Sequence, residues 1–487
     1  MTFGSFDTKQ DRAVAPGRQW PRRGALAALL SVTVAASFGL VACSSDSSSD
    51  NSSSTSTTTV SDDPAAIATD AYVFGYPLVL MDATRAAALP ANHFDHADAL
   101  PTAADRSVVR LNLDTLYSQA WLDVKNEPMV IQIPQMDSGR YWLMQFMDAW
   151  SNTRHDPSSL DPKLKSGAKS GPFTYAITGP GWHGTLPDDI TPLPVPTDTA
   201  WLLGRVQVNG QDDIAAVQAI QNQMKLVPLS QWQSGDRDNL PAPSPADKSV
   251  QPSKQVADMD GPAFFATLSA LMVDNPPAAA DAPAMARFAK IGLTPGGATD
   301  KVSADVLNNA ATAAQKSIAA YHDPSSKNEN GWTFGTNTGT YGTDYINRAY
   351  IAAHGLGANL PQDALYPTTF TKADDNGTPI RYRLHFPEGQ LPPVGAFWSL
   401  TAYDADSFLI DNPANIFAVG HQIPVVKNPD GSVDIAVQNA DPGSTVPVGN
   451  WLPIPAAGPF SLTLRLYAPD KTAVDGTWQP PALQKVS

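Results

Sequence analysis

Between residues 65 and 85 apolar positions recur at helical spacing through Ile67, Tyr72, Phe74 and Leu78, predicting a buried helix broken or kinked near Gly75 and Pro77. From residue 108 the period drops to two. Arg110, Asn112 and Asp114 alternate with Leu111 and Leu113, and a second run carries Tyr117, Ala120, Trp121 and Leu122. Strands are predicted across 108–124, 129–133, 173–178 and 201–208. Helical spacing returns over 212–226, 261–273, 284–291, 304–321 and 343–354. Period two resumes at 382–386, 396–403, 433–438 and 460–467, with Gly and Pro at the turns. The expected fold is mainly β with a helical insert (α+β), built from two antiparallel β-sandwich or jelly-roll-like domains.

One stretch occurs twice. Residues 397–407 read F-W-S-L-T-A-Y-D-A-D-S and residues 141–151 read Y-W-L-M-Q-F-M-D-A-W-S. Without gaps they share Trp142/Trp398, Asp148/Asp404, Ala149/Ala405 and Ser151/Ser407. Both predict a strand ending in an acidic turn. Each is preceded by a strand and a proline, at Ile133-Pro134 and Phe386-Pro387, and followed by a strand bearing Arg205 or Arg465. A related pair of β domains explains this, with Trp and Asp serving the shared frame. The residues that differ, including Trp150, Asn152, His155, Ser399 and Tyr403, are then the better functional candidates.

Composition adds an address. Arg18, Arg22 and Arg23 precede an apolar run over 24–40, the layout of a secretory signal. Ala42 stands before Cys43, the one cysteine of the chain, in an arrangement that resembles the lipobox of bacterial lipoproteins. Cys43 is the expected lipidation site, and the expected location is the bacterial cell envelope, periplasmic or outer-membrane, with the lipid anchor as membrane partner. The expected organisation is a signal peptide over 1–42, a lipidated Ser-rich tether over 43–62, an N-terminal β domain over 63–210, a helical connector over 211–360 and a C-terminal jelly-roll-like domain over 361–487. A net charge of −15 argues against a nucleic-acid partner. An oligomer is compatible with the sequence.

Among polar constellations, Arg110, Asn112 and Asp114 at period two would project from one face of a strand. With Tyr117 they suit either a polar ligand or a satisfied internal network. Ser399, Thr401 and Tyr403, and Ser461, Thr463, Arg465 and Tyr467, line one side of two further strands. Together with Trp451 and Asn152 they suit a sugar-like or carboxylated ligand, or simply the solvated face of a sheet. Asp114, Asp148 and His155 are the residues a hydrolase or lyase would use. His93-x-x-His96 reads as a surface loop, and neither a metal nor a cofactor is expected.

Further motifs carry a family resemblance. They are residues 72–77 (Y-V-F-G-Y-P), 110–117 (R-L-N-L-D-T-L-Y), 139–142 (G-R-Y-W), 396–404 (A-F-W-S-L-T-A-Y-D), 450–453 (N-W-L-P) and 464–467 (L-R-L-Y). On these, the chain resembles bacterial proteins pairing the domains of unknown function 1254 and 1214. It departs from them at 413–417, P-A-N-I-F, which lacks an Arg-Tyr pair. The resemblance implies architecture and no mechanism. The leading expectation is a lipid-anchored protein that binds a small polar molecule or glycan between two β domains. The alternatives are a periplasmic or cell-surface hydrolase or lyase, and a surface scaffold making protein contacts.

Overall fold

The computed structural model describes residues 61–486 except 107, 108, 138, 242 and 244–249. The signal segment, Cys43 and nearly all of the tether lie outside the described residues.

The helix Pro64–Ala86 begins on Asp63, whose carboxylate accepts from Ala66 N at 3.2 Å, and on a proline that needs no N–H partner at its first position. The helix runs through Gly75 and Pro77 without a break. Gly75 is instead a crossing point: a Cβ there would stand 2.2 Å from Leu268 on the helix Gly261–Asp274. In the turn before Pro77, Arg348 Nη2 donates to Phe74 O at 3.1 Å. The helices Gly261–Asp274, Ala304–Ala320 and Tyr345–Gly355 pack around this first helix. Its length and composition would allow it to cross a membrane, but most of it is buried inside the protein.

Two β units follow one plan. In the first, the sheet order is Asp95–His96, Thr115–Asp123, Thr199–Gln207, Trp142–Asp148, Thr153–His155. In the second, Thr368–Lys372, Pro459–Tyr467, Trp398–Tyr403 and Ala418–Val419 run side by side, extended by the hairpin of Lys327–Glu329 and Trp332–Phe334. Each unit also has a four-stranded sheet. One is ordered Thr191–Pro194, Phe173–Thr178, Met129–Ile133, Lys225–Pro228; the other Trp451–Leu452, Val433–Val437, Arg381–Phe386, Leu483–Val486. In both, the first pair is parallel and the remaining pairs antiparallel.

The register repeats as well. Trp142 faces Val206 and Leu143 faces Arg205; Trp398 faces Leu466 and Ser399 faces Arg465. The two arginines therefore occupy the same place in the two units. The echoed turns also match. Asp148 Oδ1 accepts from the amides of Trp150 and Asn152 at 2.9 and 3.0 Å, and Asp404 Oδ1 from those of Asp406 and Phe408 at 3.0 and 2.9 Å. Ser151 and Ser407 take left-handed backbones, with φ of 64° and 67°. A short acceptor side chain two and four residues ahead is what closes such a turn.

The whole is a mixed α and β protein with several mostly antiparallel sheets, a coarser description than the expected pair of sandwiches. Two expectations change in detail. The helix predicted over 212–226 stops at Gln221, and Lys225–Pro228 is a strand paired with Met129–Ile133. Leu226 faces the main core while Val227 packs with Val130 and Ala176, an alternation that only pairing produces. Residues 110–114 are irregular, Arg110 lying at φ 54°, and the strand starts at Thr115.

Candidate functional site

On Pro459–Tyr467, Phe460, Leu462, Leu464 and Leu466 join the second unit's core, which leaves Ser461, Thr463, Arg465 and Tyr467 on the opposite face. Period two therefore holds, but that face is not solvated. All four residues are buried, as are Ser399, Thr401 and Tyr403 beside them. What covers them is the irregular segment 110–114 of the first unit and Tyr141, whose ring lies 6.2 Å from that of Tyr467.

The cover is hydrogen-bonded throughout. Arg110 donates from Nη1 to Thr463 Oγ1 at 2.9 Å and from Nη2 to Ser461 Oγ at 3.1 Å. Arg465 donates to Thr401 Oγ1 at 3.0 Å, to Arg110 O at 3.1 Å and to the Tyr403 hydroxyl, which itself donates to Leu111 O. Asp114 Oδ2 accepts from Ser399 Oγ at 2.6 Å and from the Tyr467 hydroxyl at 3.4 Å. Its Oδ1 lies 3.4 Å from His421 Nδ1, while His421 Nε2 contacts Asn209 Oδ1 at 2.9 Å. Serine and histidine thus both meet the aspartate and not each other, which is not a nucleophile–base relay. Burial lowers the Arg110 pKa to about 10, with Arg465 adding to the effect. Arg465 is shifted upward instead: burial opposes its charge, but Tyr403, Tyr467 and Asp114 support it.

Arg205 differs. It is 2% exposed, with hydrogen bonds from Nη1 to Gln145 Oε1 at 2.8 Å and to Leu203 O at 3.4 Å, and with the Tyr117 hydroxyl as a further hydrogen-bond partner. Its guanidinium carbon lies 5.4 Å from the Tyr117 ring centre, and the hydroxyls of Tyr117, Tyr366 and Tyr467 surround its charge. No carboxylate comes within 4.0 Å of it among the described residues. Tyr117 faces Arg205 in register, and the register of Leu365 with Leu466 and Thr368 with Thr463 sets Tyr366 across from Arg465. The repeat therefore extends to a Tyr-Arg pair in each unit.

The remaining predicted residues are dispersed. Asn112 joins the seam, donating to Thr115 Oγ1 and Tyr117 OH at 2.9 and 3.2 Å. Asp148 and Asn152 close the turn at the far end of their strand, and Asn152 Oδ1 accepts from Tyr341 N at 3.3 Å. Burial raises the Asp148 pKa, opposed by Asn152 and Arg154. Asp114 O accepts from Val208 N, whereas Asp148 pairs with Ala200. Eight residues of strand separate these levels, about 26 Å at about 3.3 Å per residue. A carboxylate pair for glycosidic cleavage works at under about 10 Å, so the expected acid set of Asp114, Asp148 and His155 is not assembled. His155 hydrogen-bonds Pro194 O at 2.7 Å. Trp451 is on a four-stranded sheet, its Nε1 donating to Gln438 O at 2.9 Å, away from the arginines. His96 meets Ser118 Oγ at 2.9 Å, and burial lowers its pKa to about 4.

Sequence reading missed Gln145, Asn359, Asp363, Tyr366 and His421. Only Tyr366 carried a signal, its alignment with Tyr117 across from the repeated arginine.

Residues 91–228 match the family described as Protein of unknown function (DUF1254), and residues 363–471 match Protein of unknown function (DUF1214). The chain carries both domains. Arg205 belongs to the DUF1254 domain and Arg465 to the DUF1214 domain, so the seam joins the two. No curated protein matches the chain. Among solved structures, the VPA0106 protein from Vibrio parahaemolyticus is similar at 22% identity and a TM-score of 0.64, over 87% of this chain and 100% of that one, a likeness of fold. An uncharacterized protein from Burkholderia cenocepacia aligns at 14% identity with a TM-score of 0.41, over 88% of this chain and 91% of that one.

Proposed function

We propose that this DUF1254–DUF1214 protein is a lipid-anchored envelope protein that binds a small anionic molecule at Arg205, in the seam between its two β units. The observation that supports the reading is the buried guanidinium of Arg205, whose hydrogen-bond partners are neutral and which has no carboxylate within 4.0 Å among the described residues. A charge removed from water is costly unless it is paired, and an anionic ligand supplies the pair. Carboxylate is the natural group, since a guanidinium fork matches its two oxygens.

Native mass spectrometry of the full chain from its own host tests this. A retained small molecule is expected, absent from Arg205→Gln prepared alongside. Bare protein in both preparations would instead favour the second reading, a surface scaffold, to which the saturation of the rest of the seam is the motivating observation. The anchor has its own test: Cys43→Ser is expected to move the protein into the soluble fraction, and unchanged detergent partitioning would remove the lipid from the account.

A further inference from the structure

The segment between the helix Tyr345–Gly355 and the strand Thr368–Lys372 crosses the seam beside Arg205. It is pinned there by Gln145 Nε2, which donates to Ala358 O at 2.8 Å, and by Ala468 N, which donates to Asp363 O at 2.8 Å. Gln145 is the same side chain whose Oε1 accepts from Arg205. Two buried acceptors on this segment are uncommitted. Asn359, 3% exposed, donates from Nδ2 to the Tyr366 hydroxyl at 2.6 Å, but its Oδ1 has no partner. Asp363, 7% exposed, leaves Oδ2 without one. Both belong to the surroundings of Arg205: Ala358, beside Asn359, is held by the Gln145 that bonds Arg205, and Ala364, beside Asp363, packs with Leu143, which faces Arg205 in register. Tyr366 is partly exposed and brings the group to the surface.

Resting on the reading of Arg205 as an anion site, we infer that the seam takes a hydroxylated carboxylic acid of the sugar-acid type. Arg205 meets the carboxylate, and Asn359 Oδ1 and Asp363 Oδ2 accept from hydroxyls. The chemistry is complementary. A buried guanidinium wants acceptors, whereas an unpaired buried acceptor carries its full desolvation penalty until a donor arrives. A plain carboxylate answers the first need and leaves the second. A neutral sugar does the reverse. Only a molecule with both groups satisfies all three side chains.

The test is calorimetry on the full chain with three probes: glucuronate, cyclohexanecarboxylate (a ring and a carboxylate without hydroxyls) and glucose (hydroxyls without a carboxylate). Glucuronate is expected to bind at least about tenfold more tightly than either of the others, the discrimination polar sites make when a hydrogen-bonding group is missing. Asp363→Asn should weaken glucuronate about tenfold and leave cyclohexanecarboxylate within about twofold. Asn359→Leu provides the same comparison if Asp363→Asn does not fold. Arg205→Gln should abolish binding of both acids. Equal binding of the two acids, unmoved by Asp363→Asn or Asn359→Leu, would overturn the hydroxy-acid inference and leave Arg205 as an anion site. Absence of binding by both acids, or binding indifferent to Arg205→Gln, would overturn the anion site and this inference with it.

Discussion

Arg205 and Arg465 occupy one position in two copies of the same β frame, yet Arg465 bonds across the seam while the hydrogen bonds of Arg205 stay within the first unit. Arg465, 3% exposed, ties Thr401, Tyr403 and the carbonyl of Arg110 together across the seam. Arg205, 2% exposed, reaches Gln145 and a carbonyl of its own strand. The cause lies in the neighbouring strand. Position 399 opposite Arg465 is serine, which holds Asp114 of the segment 110–114 against the second sheet, and position 143 opposite Arg205 is leucine, which offers no such bond. The segment 110–114 then lays carbonyls over Arg465, whereas beside Arg205 runs the segment after the helix Tyr345–Gly355, held there by Gln145. A duplicated frame thus employs one arginine to hold the units together, while its counterpart is held by neutral partners of its own unit.

The largest effect is expected from Arg465→Met. It strips partners from buried hydroxyls and carbonyls and should cost about 3–5 kcal/mol in urea unfolding. A cost no greater than that of Arg205→Met would erase the distinction between the two arginines. Asp363 comes next. Burial, with Asp156 nearby, raises its pKa to about 8 from the usual 3.8. With the folded-state value raised, its contribution is fully present below about pH 4 and is lost as pH rises through about 8. That is worth at most about 6 kcal/mol. Asp363→Asn should therefore gain stability relative to the parent between pH 4 and 8 in melts at constant ionic strength, and parallel pH profiles would contradict the placement of an unpaired carboxyl there. The turns test the shared frame. Asp148→Ala, in the buried turn, should cost about 2 kcal/mol and Asp404→Ala, in the more exposed one, about 1 kcal/mol; an indifferent Asp404 would mean that the echo is not used alike in both units. The smallest change is expected from Arg205→Met without ligand, within about 1 kcal/mol, because an apolar chain of similar size replaces a buried charge whose neutral hydrogen-bond partners only offset its desolvation.

Much of this architecture was legible in the residues. Alternation marked the strands, and the repeated Trp and Asp marked equivalent strands and turns whose register and hydrogen bonds agree. The site was legible in part. Arg110, Asn112, Asp114, Tyr117, Tyr403 and Arg465 do converge, but as a joint, with Asp148, His155 and Trp451 elsewhere. The helix predicted over 212–226 takes in the first half of Lys225–Pro228, because a four-residue strand carries too little periodicity to oppose the helical run before it.

By itself, the sequence determined what is local: which residues alternate, where a carboxylate can close a turn, and which stretch was written twice. Those properties depend on neighbours within a few positions. The tertiary structure alone decided that a polar sheet face would be buried instead of solvated, and which of two equivalent arginines would find its partners. Both outcomes turn on side chains from the other unit: Arg110 reaches Thr463 across 353 positions and Ser399 reaches Asp114 across 285. No periodicity spans such distances, since hydrogen-bond satisfaction is a property of the assembled seam and not of either strand.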